Sequence, residues 1–355
     1  MIDLQALNSV DDALMNIAKY VKPLYYIEPI NEEEQKSEFL SGKVKNPVFL
    51  YRDLEYDPDE FEKRLNSIEI PDDELGVIFE KRKKEILLEN RIIKNRGDED
   101  FVKEATIILY GFPNEQLVAY ADDLLKRIPP EETEKTVPSE RIKTVFEEAL
   151  YEHGLIDWRV EFSDKRLTIV YPAEKKITVC RNRKFAKIDP ERLKVHEIEV
   201  HVLRAANGYE QPLRIFAFGL PGYVSTEEGL ASFFEELTGN TSKETMRDYA
   251  ARVIAVDSVY KGLDFRQTFE RLRSYGLSND QAWNLTVRAH RAGGYIKDHI
   301  YLDGYRKVKK FAETIGDFKT LYVGKIGIED LPLIKKYLDK GILKEAIYKP
   351  KFIEF

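Results

Sequence analysis

Cysteine is almost missing from this chain of 355 residues, with Cys180 its single representative. One thiol excludes an intrachain disulfide and any zinc or iron–sulfur site built from several cysteines, and it fits a reducing compartment. Long apolar runs are missing too. No stretch of eighteen residues is free of charge, so no membrane-spanning helix is expected. The first residues, MIDLQALNSVDDALMNIAKYVKPLYY, lack the basic start and apolar stretch of a secretory leader, and the expectation is a cytoplasmic protein. A basic excess is absent. Lys+Arg number 56 against 63 Asp+Glu, a net charge of −7, which gives no global pull toward nucleic acid or an anionic membrane. No internal repeat, low-complexity tract or useful heptad run is present, so a monomer is the default. What remains is ample. Hydrophobic residues make up 43% and charged residues 34%, enough for a sizeable core and a solvated surface.

The order of elements predicts an α+β chain that is mostly helical, with a small antiparallel sheet ahead of its key helix. Residues 1–128 read as helical. Leu75, Ile78, Phe79, Ile86, Leu87, Ile92 and Ile93 recur at helical spacing, and the basic run Lys81–Lys84 between glutamates reads as a solvated face. Another helix follows Pro113. Ile128–Pro138 holds three prolines and no apolar period, so 129–138 is expected to be a linker or loop between an N-terminal helical region (1–128) and a second region (139–355). After a helix from Ser139 to about Glu152, the period changes to two. Trp158, Val160 and Phe162, then Leu167, Ile169 and Tyr171, then Ile177 and Val179, predict a three-stranded antiparallel meander. From Asp189 on the pattern is helical again, with turns at Gly208, Gly219–Gly222, Gly239, Gly276 and Gly293-Gly294.

Asp189-Pro190 pairs an N-cap acceptor with proline at the first helical position, and Gly208 reads as a left-handed terminator. Between them lies His196-Glu197-Ile198-Glu199-Val200-His201, of the form HExxxH. In the common HExxH motif the two histidines differ by about 40° around the helix and share a face; one further residue makes this about 140°. Two histidines so placed grip one ion only if the helix is locally widened, as in a π-turn. Glu197 would then stand beside the metal, where it can take a proton from the bound water. The plain alternative is a solvated helix face. A catalytic zinc takes three protein ligands and keeps one position open, so a third ligand is needed. Ser225-Thr226-Glu227-Glu228-Gly229 opens a later helix and offers Glu228, or Glu227. Ser225 and Glu228 also have capping-box spacing, so Glu228 has a purely structural reading as well.

These residues resemble the tyrosine carboxypeptidase family, earlier known for a QEGLA motif. The resemblance rests on HEIEVHVLRAANGYEQP (196–212), LPGYVSTEEGLASFFE (220–235), Arg291–Gly294 and Lys297–Gly304, and covers roughly residues 150–315. The sequence departs from the animal members at Glu199-Val200. The resemblance implies a zincin-like metallopeptidase with Zn2+ held by His196, His201 and Glu228, and Glu197 as general base. It implies a carboxypeptidase that removes a C-terminal aromatic residue, Tyr or Phe, from a peptide or protein; the animal members act on α-tubulin. The alternatives are a non-catalytic zinc protein that binds peptide C-termini, and an endopeptidase or aminopeptidase on the same frame.

An enzyme acting at a C-terminus needs a cation for the terminal carboxylate, ideally an arginine fork. Arg291 and Lys297 are candidates, as is the run Arg181, Arg183, Lys184. Tyr295, Tyr301 and Tyr305 are candidates for an oxyanion donor or for the side-chain pocket, with Arg291 and Tyr301 favoured because they fall in motif blocks. An exposed strand edge is a possible seat for an extended substrate. His290 and His299 are placed near the site, His153 at a helix end, and Cys180 in the core.

Overall fold

The structure is a computed structural model that describes residues 4–131, 133–164 and 168–353. Its principal helices, in chain order, are α1 (Leu4–Ala18), α2 (Glu32–Leu40), α3 (Pro58–Asn66), α4 (Gly76–Lys94), α5 (Glu99–Tyr110), α6 (Glu115–Arg127) and α7 (Ser139–Glu152). Then come α8, built of Asp189–Leu193, Lys194–Val202 and Leu203–Tyr209 end to end, α9 (Val224–Leu237) and α10 (Lys243–Tyr260). The last are α11 (Phe265–Ser274), α12 (Asn279–His290), α13 (Ile300–Thr314) and α14 (Leu331–Asp339). The strands are β1 (Lys135–Pro138), β2 (Arg159–Ser163), β3 (Ile169–Tyr171), β4 (Lys176–Cys180) and β5 (Lys184–Ala186). The protein is mostly helical with two small sheets, an α+β chain. None of the described helices is long and apolar enough to cross a membrane.

Two compact units emerge, both discontinuous in sequence. One comprises Met1–Pro130 and Thr245–Leu302, the other Glu131–Glu244 and Asp303–Phe355. The expected division into 1–128, 129–138 and 139–355 follows the chain alone, whereas contacts draw residues 245–302 to the N-terminal unit.

In the first unit the helices form where periodicity and caps agree. The Asn114 side chain accepts from Leu117 N at 2.8 Å and starts α6, whose Leu117, Ala121, Leu124 and Leu125 point inward. Replacing Asn114 by alanine should cost about 1 kcal/mol, read as a lower denaturant midpoint; an unchanged midpoint would contradict the assigned cap. The basic run on α4 is not wholly a solvated face. Lys83 is buried and donates to the Ile68 carbonyl at 2.8 Å, where a cation meets carbonyls just past the end of α3. Phe39 is fully buried, with Phe265 and Phe269 edge-on at 5.2 and 5.0 Å.

The second unit corrects three expectations. The presumed linker contains strand β1, which pairs antiparallel with β5. Its prolines hid it, since only edge strands tolerate them. The expected meander is a mixed sheet instead, in the order β2-β4-β3; β2 runs parallel to β4, and only β3 and β4 are antiparallel. Alternation shows which side chains face the core but not which strand lies next to which. Central β4 has Ile177 and Val179 fully buried and Thr178 nearly so, as a strand covered on both faces requires. Leu167 lies outside the described residues. Finally, Gly208 does not terminate a helix by left-handed geometry. It lies within α8, where a Cβ would overlap the Phe216 carbonyl, so glycine is needed for close backbone approach.

Candidate metal centre

Helix α8 carries the widened turn that the histidine spacing demands. Lys194–Val202, nine residues, is a π-helix flanked by α-helix on both sides. The wider turn brings His196 and His201 onto one side, with ring centroids 4.9 Å apart. Helix α9 supplies a carboxylate to the same place. Glu228 Oε2 lies 3.6 Å from His196 Nε2 and 3.9 Å from His201 Nε2. One atom from each of the three residues falls within 4.8 Å of the others, the only such group of potential metal ligands among the described residues.

Both imidazoles are oriented from behind. His196 Nδ1 donates to Glu235 Oε1 at 2.8 Å, and His201 Nδ1 donates to Glu227 Oε1 at 2.8 Å. A carboxylate on Nδ1 fixes the ring and turns Nε2 toward the shared space, the arrangement that metal-ligating histidines use. Helix α9 thus contributes three acids. Glu228 points to the centre while Glu227 and Glu235 support the histidines. The capping box read from Ser225 and Glu228 does not form, because the helix starts at Val224 with Tyr223 as its cap residue. Glu227, the other candidate ligand, is spent behind His201.

Glu227 is itself held by two buried cations. Lys325 Nζ donates to its Oε1 at 2.5 Å, and Arg204 pairs with its Oε2. Arg204 is fully buried and gives its other donors to the carbonyls of Leu321 and Ile326. Burial alone would raise the Glu227 carboxyl, but Lys325 and Arg204 hold it well below the usual carboxylate range. Glu235, also fully buried, accepts from Arg192 Nη1 at 3.1 Å, and Arg192 is tied in turn to Asp189. Asp189 does not cap by its own N-terminal turn as expected: Ile188 is the cap residue, and the Asp189 carboxylate accepts from Ala186 N at 2.9 Å.

The electrostatics call for a cation. Burial pulls the His196 imidazole down, yet Glu228 and Glu235 outweigh it and lift it to about 10. With only protons available, the acidic surroundings hold one on His196; a divalent ion would take its place at Nε2. The donor set, two imidazoles and one carboxylate, is the type that binds zinc at a catalytic site. Glu197 is 8% exposed, and burial pushes its carboxyl up while the charges of His196, His201 and Glu228 act on it. Such a carboxyl is better able to exchange a proton near neutral pH than an ordinary glutamate.

Position along α9 is set by a glycine pair. A Cβ on Gly229 would collide with the Gly304 backbone, and one on Gly304 with the Ser225 carbonyl. Helices α9 and α13 therefore touch backbone to backbone one residue from Glu228. Gly304→Ala should cost about 1–3 kcal/mol by overpacking and reduce zinc retained after dialysis. A wild-type midpoint and zinc content would refute this role.

Arg291, Tyr295, Lys297 and Tyr301 all belong to the unit containing Thr245–Leu302. Tyr295 is 2% exposed, and its hydroxyl lies 3.0 Å from that of Tyr110. Arg291 follows α12, with its guanidinium 5.8 Å from the Tyr295 ring centroid. Tyr305 donates to Glu236 at 2.7 Å. Arg181, Arg183 and Lys184 are surface residues around the β4–β5 turn. His290 bonds Thr268 at 2.9 Å and is brought down to about 4 by burial, and His299 is buried facing the carbonyls of Ile296 and Tyr110; neither is in the metal group. Cys180 is half-buried rather than a core residue. His153 is more than a helix end. Its Nε2 lies 3.1 Å from the buried Glu199 carboxylate, which gives the departure at Glu199 a partner. Sequence reading missed Glu235, Arg204 and Lys325; the seven-residue interval from Glu228 to Glu235, two helical turns, was the available sign for the first.

A sequence model of the family described as "Microtubule-associated tyrosine carboxypeptidase" matches residues 37–354. The chain belongs to the microtubule-associated tyrosine carboxypeptidase family. Microtubule-associated tyrosine carboxypeptidase 1 from Rattus norvegicus is 33% identical over 159 residues, covering 41% of this chain and 33% of that protein. Its Homo sapiens counterpart is 32% identical over 154 residues, covering 40% of this chain and 32% of that protein. The matched region spans about a third of the length of these relatives. No solved structure matches the chain.

Proposed function

We propose that this protein is a zinc-dependent carboxypeptidase that removes a C-terminal aromatic residue, Tyr or Phe, from a peptide or protein. The observation that carries the proposal is the convergence of His196 Nε2, His201 Nε2 and a Glu228 oxygen across a π-turn. Those three residues would hold the ion. Zinc bound there polarises a carbonyl and makes water acidic enough to react at neutral pH. Glu197 accepts a proton on its carboxylate from the attacking water and returns it to the leaving amine nitrogen. Glu227 and Glu235 keep the imidazole rings from turning. Arg291 and Lys297 are the proposed cations for the terminal carboxylate, and Tyr301 a proposed donor or pocket wall. Tyr295, its hydroxyl beside that of Tyr110, shapes the surroundings. The names of the family and its relatives support the reaction and its aromatic preference.

The test is mass spectrometry of a tyrosine-ended peptide incubated with the full chain. Loss of one residue from the C-terminal end is expected, abolished by a chelator and restored by zinc. Shortening from the other end, an internal cut, or turnover that survives metal removal would each overturn the proposal.

A further inference from the structure

One residue of the widened turn is held from three directions. Glu199 lies between the two histidines in sequence and is buried. Its main-chain carbonyl accepts from the Tyr322 hydroxyl at 2.6 Å. Its carboxylate meets His153 Nε2 at 3.1 Å through Oε1 and accepts from Lys351 N at 3.3 Å through Oε2. These partners come from separate places: His153 closes α7, Tyr322 lies between α13 and α14, and Lys351 follows α14. All of them share one compact unit with His196, His201 and Glu228.

Tyr322 is itself fixed. It is fully buried, and the backbone on either side of it is bonded to α8 and to the turn that follows. The Leu321 carbonyl accepts from Arg204 Nε at 3.0 Å, and the Val323 carbonyl from Gln211 Nε2 at 3.1 Å. At Gly324 a Cβ would stand 2.8 Å from the Phe216 carbonyl oxygen, so the main chains lie close there as well. The hydroxyl is therefore delivered to one spot, and no water competes for the bond it makes.

A π-turn needs such support, because it is rarer and less favourable than the α-helix around it. Here Leu203 N donates to the Ile198 carbonyl, five residues back. A return to ordinary α-helical bonding would set His201 about 140° from His196, and their Nε2 atoms would no longer converge. It would also turn the Glu199 carbonyl and side chain away from partners that are anchored elsewhere. Tyr322, His153 and Lys351 N thus bind the widened form and not the regular one, and only such a difference shifts the balance between two forms.

We propose, resting on the metal reading above, that Tyr322 and Glu199 are positioning residues that hold the turn open and so set the spacing of the two histidines for the ion. Neither touches the ion; both act through the backbone that carries its ligands.

The test measures zinc affinity of the full chain, by competition with a chromophoric chelator, and the visible spectrum of the cobalt-loaded chain, whose bands report ligand geometry. Tyr322→Phe keeps the ring and removes only the hydroxyl. It should lower zinc affinity by about tenfold or more and alter the cobalt bands, and Glu199→Ala should act in the same direction. Denaturant midpoints of the metal-free variants are taken alongside. Should Tyr322→Phe not fold, Glu199→Ala decides by the same two readings. A lowered midpoint with wild-type zinc affinity and wild-type cobalt bands would reduce both residues to structural supports and overturn the proposal. A wild-type chain that takes up neither zinc nor cobalt would sink the metal reading itself; wild-type uptake that both variants preserve would sink only the positioning role.

Discussion

Glu197→Gln is expected to lower turnover of a tyrosine-ended peptide by about 10²–10⁴-fold, the contribution of a positioned general base, with zinc content unchanged. Glutamine keeps the size and hydrogen-bonding capacity of the side chain but accepts no proton at neutral pH. Glu197 is not among the three converging residues proposed to hold the ion, so the metal should stay. The wild-type pH profile adds a second readout. Burial raises the Glu197 carboxyl, so the base is ionised only above a pH higher than that of an ordinary glutamate. The acidic limb should therefore lie above the ordinary carboxylate range near 4.3. Equal turnover in variant and wild type at equal zinc would remove Glu197 from the chemistry.

Glu227→Gln should be the most damaging change to the fold around the centre. It leaves Arg204 and Lys325, at 0% and 5% exposure, without a counter-charge. Breaking a buried ion pair by removing one partner costs about 3–5 kcal/mol. Loss of the carboxylate behind a ligating histidine should also lower zinc affinity by about 10–100-fold. The sign with pH follows from the depressed carboxyl of Glu227. Its stabilisation is complete above the unfolded-state pKa of about 4.3 and is lost as pH falls toward the lower folded value. Wild type and Glu227→Gln should therefore differ fully near neutrality and converge in acid, as denaturant midpoints taken across that range would show. A constant gap down to low pH would contradict the ion triad.

The histidine spacing carried more of this site than any other sequence feature. Two histidines five positions apart do not share a face of an α-helix, and Lys194–Val202 resolves the conflict by widening. Glu228 was legible as one of two acids, but spacing alone also allowed a capping box. What rejects the box is the helix beginning earlier, at Val224, a boundary that local propensity does not fix. The mixed order β2-β4-β3 was not legible because alternation encodes faces rather than neighbours. Arg204 and Lys325 were not legible either. Each takes its meaning from a partner fixed by tertiary packing, the Glu227 carboxylate, and an isolated cation in a sequence reads as surface.

Backbone contact between Gly229 and Gly304 has a consequence for how reproducibly the metal pocket is built. Two main chains in direct touch have no rotamers to explore, so the register between their helices is discrete. A side-chain interface can settle into several near-equivalent fits; this one offers a single seat, and Glu228 begins one residue away from it. The carboxylate is delivered with its axial position already decided, and ion capture need not supply the free energy to decide it.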